Sequence, residues 1–193
     1  MAKIKSVKAS SAQLRIIAGR WRGRKLPVAN LPSLRPTGDR IRETLFNWLM
    51  GDIVGARVLD LFSGAGSLGL ESLSRGAAAL TLIEQHPTAV KQLQQNLELL
   101  DASSSAVLIQ SDAVRWLQQG AEQPFDLVFI DPPFSENLWQ ASFEGLETGG
   151  YLTAGSAIYI ECERERTLQI PDNWQLFRQK RAGQVCFSLY YRH

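Results

Sequence analysis

"RVLDLFSGAGSLGLESLSRGA", residues 57–77, runs from β-forming apolar residues through three glycines into a helical pattern. The apolar run predicts a short strand over 57–62, and the following periodicity predicts a helix over 67–77 that ends near Gly76. Gly64, Gly66 and Gly69 therefore fall at the turn between them. Glycine suits such a turn, because the backbone must bend tightly and let a ligand approach closely, with a helix N-terminus behind it. A strand, a glycine loop and a helix in this order open a doubly wound α/β sheet.

The same alternation continues outward. Residues 80–84 read as a strand, 87–100 as a helix with Pro87 in its first turn, and 106–112 as a third strand. A short helix over 113–120 precedes a nearly continuous apolar strand over 125–133, as expected for a central parallel strand. A helix around 136–147 leads to a strand over 156–163, and residues 174–192 read as an antiparallel hairpin turning at Ala182–Gly183. The sum is an α/β fold, a doubly wound Rossmann-like sheet with an antiparallel C-terminal hairpin. Upstream, residues 14–28 predict two short strands around a Gly19–Gly23 turn. Pro36 then stops the chain, and Thr37 is expected to cap a helix over 38–50. Ile41, Leu45, Trp48 and Leu49 form its apolar stripe; Arg40 and Arg42 are equally open to a solvated face or to ligand contact. The chain thus divides into 1–33, a disordered start over 1–12 followed by a basic hairpin, and a main domain over 34–193.

The formal charge of +2 conceals an asymmetry. Nine basic residues and no acidic one precede Asp39, whereas the remainder carries 12 basic against 19 acidic residues, a net of −7. An acidic body with a basic front is the distribution of a protein that meets a polyanion through one face. Arg15, Arg20, Arg22, Arg24 and Lys25 are the candidate RNA contacts, with Trp21 among them either stacking on a base or packing on the hairpin. A mitochondrial transit peptide would share this composition, but the hairpin pattern is not that of an amphipathic helix. Two cysteines and two histidines exclude a disulfide framework and a zinc site and point to a reducing compartment. No apolar run approaches the roughly 20 residues of a membrane span, and the start lacks the apolar core of a secretory signal.

Acids ring the glycine loop. Glu84 closes the second strand twenty residues after Gly64, where its carboxylate can accept two hydrogen bonds from a ribose diol. To this point a nicotinamide dinucleotide and S-adenosylmethionine fit equally well. Asp60, at the end of the first strand, would oppose a pyrophosphate but suit an ammonium. Asp112 closes the third strand, where it can reach an adenine amino group while the Ala113 N–H reaches a ring nitrogen. Phe62 lies in the same loop. One such acid would read as a strand-end turn residue; three around one crevice favour S-adenosylmethionine.

The fourth strand ends in "FIDPPFSENL", residues 129–138. A turn would explain the prolines. A clamp explains more: Asp131 and the Pro132 carbonyl can accept both N–H groups of an exocyclic amine, Pro133 stiffens the backbone, and Phe134 can stack on the base. Such a clamp orients an amine whose lone pair is otherwise delocalised into its ring.

Asp131-Pro132-Pro133-Phe134 resembles the motif of amino-group methyltransferases. With "LDLFSGAGSLGLE", "RIIAGRWRGRKL", "RPTGDRIRETLFNWL" and "AGQVCFSLYYR", the chain from Arg15 to Arg192 resembles the bacterial 16S ribosomal RNA guanine-N2 methyltransferases that act on guanine 966. That resemblance implies a class I S-adenosylmethionine-dependent enzyme, producing S-adenosylhomocysteine without a metal. It also implies a 30S particle or assembly intermediate as partner, a cytoplasmic location, and a monomer away from membranes. It places Asp60, Gly64, Gly66, Glu84 and Asp112 in cofactor motifs, Asp131 to Phe134 in the catalytic motif, and Thr37 and Arg42 over the methionine end of the cofactor. An adenine-N6 DNA methyltransferase or a protein-glutamine methyltransferase would use a similar tetrapeptide. The basic arm argues against a peptide substrate, and no target-recognition insertion interrupts the fold. A nicotinamide oxidoreductase is favoured by the glycine run alone and lacks an evident proton donor.

Overall fold

The structure, a computed structural model, describes residues 12–31, 34 and 36–193. Of the start expected to be disordered, 1–12, residues 1–11 lie outside them, as do Lys3, Lys5, Lys8 and Arg35. A seven-stranded sheet is built from β3 (Arg57–Asp60), β4 (Ala79–Glu84), β5 (Ala106–Gln110), β6 (Phe125–Ile130), β7 (Leu152–Glu163), β8 (Trp174–Ala182) and β9 (Val185–Arg192). Its order is β5-β4-β3-β6-β7-β9-β8. The first five of these are parallel, and β9 runs antiparallel between β7 and β8. The strand order reverses between β3 and β6, the position at which a doubly wound sheet opens a crevice beyond its strand ends. Cys162 and Cys186 face each other across β7 and β9 as free, buried thiols.

Helices α2 (Gly69–Ser74), α3 (Pro87–Leu99), α4 (Ala113–Leu117) and α5 (Trp139–Thr148) follow their strands. The helix expected around 136–147 is interrupted: a 3-10 turn spans Phe134–Glu136, and Asn137 takes a left-handed conformation before α5 begins. Two apolar layers result. One lies beneath α1 (Asp39–Trp48), α2 and α3, the other beneath α4 and α5.

At the front of the chain one expectation fails, and one of the two readings left open for Arg42 is removed. Helix α1 starts at Asp39 with Gly38 as its N-cap and no side-chain cap, so Thr37 does not cap it. Arg42 does not face solvent; it is among the most deeply buried side chains. The reason is Glu71 on α2, a carboxylate that is 0% exposed. It accepts the backbone N–H groups of Ile17 (2.8 Å) and Ala18 (3.0 Å), Arg42 Nη1 (3.4 Å) and Arg75 Nε (2.7 Å). Arg42 also donates to Asp39 Oδ1 (2.6 Å) and to the carbonyls of Arg15 (2.9 Å) and Thr37 (3.1 Å). Buried charge is tolerated only when every partner is in place.

The hairpin of β1 (Gln13–Arg15) and β2 (Lys25–Pro27) is consequently part of the body. Leu14, Ile16, Trp21, Leu26 and Val28 share one core with α1 and the sheet. Each contributes about 1.5–3 kcal/mol when fully buried. Gly19, at φ +79°, marks the closest approach, since a Cβ there would lie 1.8 Å from the Ser74 carbonyl oxygen. Arg42→Leu is expected to lower unfolding free energy by about 1–3 kcal/mol, because Glu71 loses one of its two arginine partners and the carbonyls of Arg15 and Thr37 lose their donor, while Arg75 and two backbone N–H groups stay on Glu71. Urea denaturation reads this directly, and a loss below about 1 kcal/mol, the level of an exposed ion pair, would refute the role given to Glu71.

Candidate active site

The ends of β3, β4, β6 and β7 bring four carboxylates to the crevice. Asp60 closes β3, Glu84 closes β4, Asp131 follows β6, and Glu161 lies near the end of β7. In register, Asp60 pairs with Phe129 and Ile130 with Ile160, so Asp131 and Glu161 are adjacent strand-end positions. Glu161 is not among the acids that the sequence pattern singles out. Its signal is an acid inside the apolar run "IYIEC", where a carboxylate needs a donor. Tyr159 supplies one, its hydroxyl donating to Glu161 Oε2 at 2.7 Å. Burial and the neighbouring charges of Glu161 and Asp131 raise the Tyr159 hydroxyl far above its usual range, so it stays a donor.

Burial raises the proton affinity of Asp60, Asp131 and Glu161, and neighbouring carboxylates add to it at Asp60 and Asp131. Burial pushes Asp60 up to about 7, opposed by the Gly69 N–H (3.0 Å to Oδ2) and assisted by Glu84. Burial, then Glu161, then Asp60 push Asp131 well above the usual carboxylate range, while a hydrogen bond from the Thr37 side chain works against them. Burial likewise raises Glu161. Thr37 thus lies within influence of Asp131 and caps no helix. Its N–H donates to Ser67 Oγ (3.2 Å), and its carbonyl is held by Arg42. The Arg42 guanidinium is engaged by internal partners, so it acts on the crevice through Thr37.

The glycine loop is shaped by its own acids. Gly64 (φ +52°) and Gly66 (φ +76°) both occupy the left-handed region. A Cβ on Gly64 would meet nothing nearer than the Phe62 carbonyl at 3.9 Å, so this glycine keeps open a space that a side chain would fill. A Cβ on Gly69 would press Leu82 at 2.8 Å and Asp60 Oδ2 at 3.0 Å, so the third glycine permits close helix–strand packing. Glu84 accepts the Gly64 N–H (2.9 Å) and the His86 N–H (2.7 Å). Asp112 is the N-cap of α4, where Oδ1 accepts the Arg115 N–H at 2.8 Å, with Ala113 buried behind it. Phe62 is half-buried beside the second apolar layer.

The turn after β6 is braced from β7's end. Pro132 is buried, Pro133 exposed and Phe134 half-buried, its ring 5.9 Å from that of Trp139. Arg166 lies over Trp139 at 4.4 Å and donates to Asn137 Oδ1 (2.7 Å) and, at 3.5 Å, to the Phe134 carbonyl. Its other partner is the Glu163 carboxylate.

The candidate RNA residues of the hairpin divide. Trp21 is buried and packs, which settles its two readings against presenting a stacking face. Arg15 reaches Asp39 at the crevice end of α1. The turn cations lie elsewhere: the Arg20 N–H donates to the Ser74 carbonyl and Arg24 Nη1 to the Leu99 carbonyl, the C-terminal ends of α2 and α3. A 13-residue α3 puts that turn about 20 Å from the crevice. Arg20, Arg22, Arg24 and Lys25 are exposed.

The Asp60 shift fixes a pH dependence. Its folded value near 7 exceeds the unfolded value near 4, so folding takes up a proton between them, and that stabilisation is lost as pH rises through 7. Asp131 and Glu161 act in the same direction. The melting temperature is expected to fall from pH 5 to pH 8, with a shallower slope in Asp60→Asn; equal slopes would contradict the assignment.

Known proteins resemble this chain in sequence and fold. Residues 14–191 match the family model described as Conserved hypothetical protein 95. The chain is 50% identical to ribosomal RNA small subunit methyltransferase D of Escherichia coli (strain K12), over 94% of this chain and 91% of that protein. It is 46% identical to the protein of the same name from Haemophilus influenzae, over 98% and 99%. A solved Escherichia coli structure described as the methyltransferase yhhF superposes with a TM-score of 0.85 at 49% identity, over 94% of this chain and 99% of that one. With the reversal of strand order, the antiparallel β9 and the acid-ringed glycine loop already in place, the chain belongs to this methyltransferase family, the one that includes the ribosomal RNA small subunit methyltransferases D.

Proposed function

We propose that the protein transfers one methyl group from S-adenosylmethionine to the N2 amine of a guanine in 16S ribosomal RNA, guanine 966, within the 30S particle or an assembly intermediate in the cytoplasm. The observation that carries this reading is the Asp131–Phe134 turn, which sets a carboxylate of raised proton affinity and a half-exposed ring at the switch point of the sheet. The match to small-subunit RNA methyltransferases over nearly the whole chain supports the choice of substrate.

The donor set fits the methyl donor. Glu84 would hold the ribose, Asp112 and the Ala113 N–H the adenine, and Asp60 the ammonium, with Gly64 and Gly66 leaving room for the ligand. Thr37 closes the methionine end in this reading, and Arg42 holds Thr37 in place. The sulfonium supplies an already activated methyl group. The chain's own residues then orient and exclude. Asp131 and the Pro132 carbonyl accept the two N–H groups of the amine and turn its lone pair out of the ring plane. Phe134 stacks on the base, and Arg166 fixes the turn on which both depend. Asp131 or water takes the proton released by the methylated nitrogen.

Single-turnover methylation of 30S particles lacking the modification, read by nucleoside mass spectrometry, tests this reading. Wild type is expected to yield N2-methylguanosine. Asp131→Ala should lose on the order of 10²–10³ in rate with cofactor affinity retained, because its contacts strengthen as the amine becomes tetrahedral. Phe134→Ala should mainly weaken substrate engagement, by about 1–3 kcal/mol for one stacking surface removed. An active Asp131→Ala enzyme would eliminate the clamp.

The pH profile supplies a second test. The ionised Asp131 is the stronger acceptor and can take up the released proton, so the rate should rise with pH through its elevated value and fall on the acid side. Glu161 is one of the charges that raise it, so Glu161→Gln should move that acid limb to lower pH. A limb that stays in place would show that Glu161 serves the fold alone.

A further inference from the structure

The cations of the hairpin turn lie at the far end of the molecule from the crevice, and Arg15, nearer to it, is paired with Asp39, which leaves open what grips the RNA beside the target base. Strand β8 is the outermost strand of the large sheet, paired only with β9. Seven consecutive residues, 175–181, are exposed. The strand carries Arg178, Lys180 and Arg181 and no acid, in a body that is otherwise net negative. Among the described residues none of the three forms an ion pair, whereas Arg42, Arg75, Arg164, Arg166 and Arg192 all do. Arg178 instead lies 5.0 Å from the ring of Phe177, which is itself 47% exposed.

The register sets the height of these cations. Lys180 pairs with Phe187, and Phe187 with Glu161, the strand-end position beside Asp131. Lys180 is therefore level with the clamp and three strand spacings from it, about 14 Å. Arg178 and Lys180 flank the face covered by α1, Arg181 pairs with Cys186 toward the other face, and the turn at Gly183 (φ +60°) lies at the crevice end. Charges on an edge strand also guard it against pairing with another copy, but either sign serves that purpose. An all-cationic edge level with an acidic crevice is selective for a polyanion.

We propose that β8 is a second RNA contact, with Arg178, Lys180 and Arg181 holding phosphates of the nucleotides that flank the target base on the Phe134 side of the crevice. The two cationic surfaces then meet the RNA at separate places: β8 positions the local strand, and the hairpin turn grips the particle about 20 Å from the crevice.

This rests on the RNA substrate proposed for the crevice, so the test separates the two. The triple variant Arg178→Gln/Lys180→Gln/Arg181→Gln is compared with wild type on 30S particles across salt concentrations, with S-adenosylmethionine affinity and melting temperature measured alongside. Expected are a KM raised at least about tenfold, kcat at saturation within about twofold, unchanged cofactor affinity, and a log–log salt slope reduced by about 2–3, roughly one for each phosphate no longer held. An unchanged KM and salt slope would overturn the proposal, and so would a variant that only aggregates more readily, leaving the strand a guarded edge. A wild-type protein that fails to methylate RNA would instead remove the substrate reading, and the proposal with it.

Discussion

The Glu71 carboxylate is the constraint around which the front of this molecule is organised. It is fully buried, and its acceptors are filled from three separate segments: the hairpin through Ile17 and Ala18, α1 through Arg42, and α2 itself through Arg75. A charge so placed leaves little freedom, because losing any partner exposes it to the full cost of desolvation. Arg42 passes that order onward. Its grip on the Thr37 carbonyl fixes the segment whose side chain meets Asp131. The hairpin, α1 and the segment that reaches the Asp131 turn thus form one connected unit, held by hydrogen bonds that apolar packing alone would not orient.

A second unit operates at the other side of the crevice. Trp139 anchors its indole N–H on the Glu161 carbonyl, Arg166 covers the indole, and the guanidinium reaches the Phe134 carbonyl and Asn137. The turn between β6 and α5 is therefore rigid for two independent reasons, proline dihedrals within it and an arginine across it. Rigidity here has a purpose in the proposed chemistry. An aromatic amine is a poor nucleophile until both its N–H groups are held, and a loose acceptor would hold neither.

Between these units lies a concentration of negative charge. Asp60, Asp131 and Glu161 occupy neighbouring strand ends, and burial raises the proton affinity of each. Such crowding destabilises the empty protein above neutral pH and is worth retaining only where a cation or a set of donors arrives to relieve it. The outer surface shows the opposite sign, on the hairpin turn and on β8. Electrostatics thus separates an acidic crevice from a cationic rim.

Local pattern determined a good part of this. The glycine loop after β3, the alternation of strands and helices, the strand-end acids and the proline turn are each short-range features, readable because backbone geometry and period dictate residue type. What local pattern could not reveal were partnerships between distant residues. Arg42 looks like any surface arginine of a helix until Glu71, 29 positions away, is placed beneath it. Trp21 suits a base-stacking surface until Ser74 and the sheet close over it. Thr37 has the identity of a helix cap, yet its N–H is held by Ser67, its carbonyl by Arg42, and its side chain acts on the Asp131 carboxyl. Glu161 gains meaning only because β7 lies beside β6 in one register. Sequence determined which local structures form and which chemistry the chain carries, since those follow from propensity and spacing. Tertiary structure decided which charges are buried and what each one holds, because desolvation and hydrogen-bond satisfaction depend on neighbours that only the folded chain brings together.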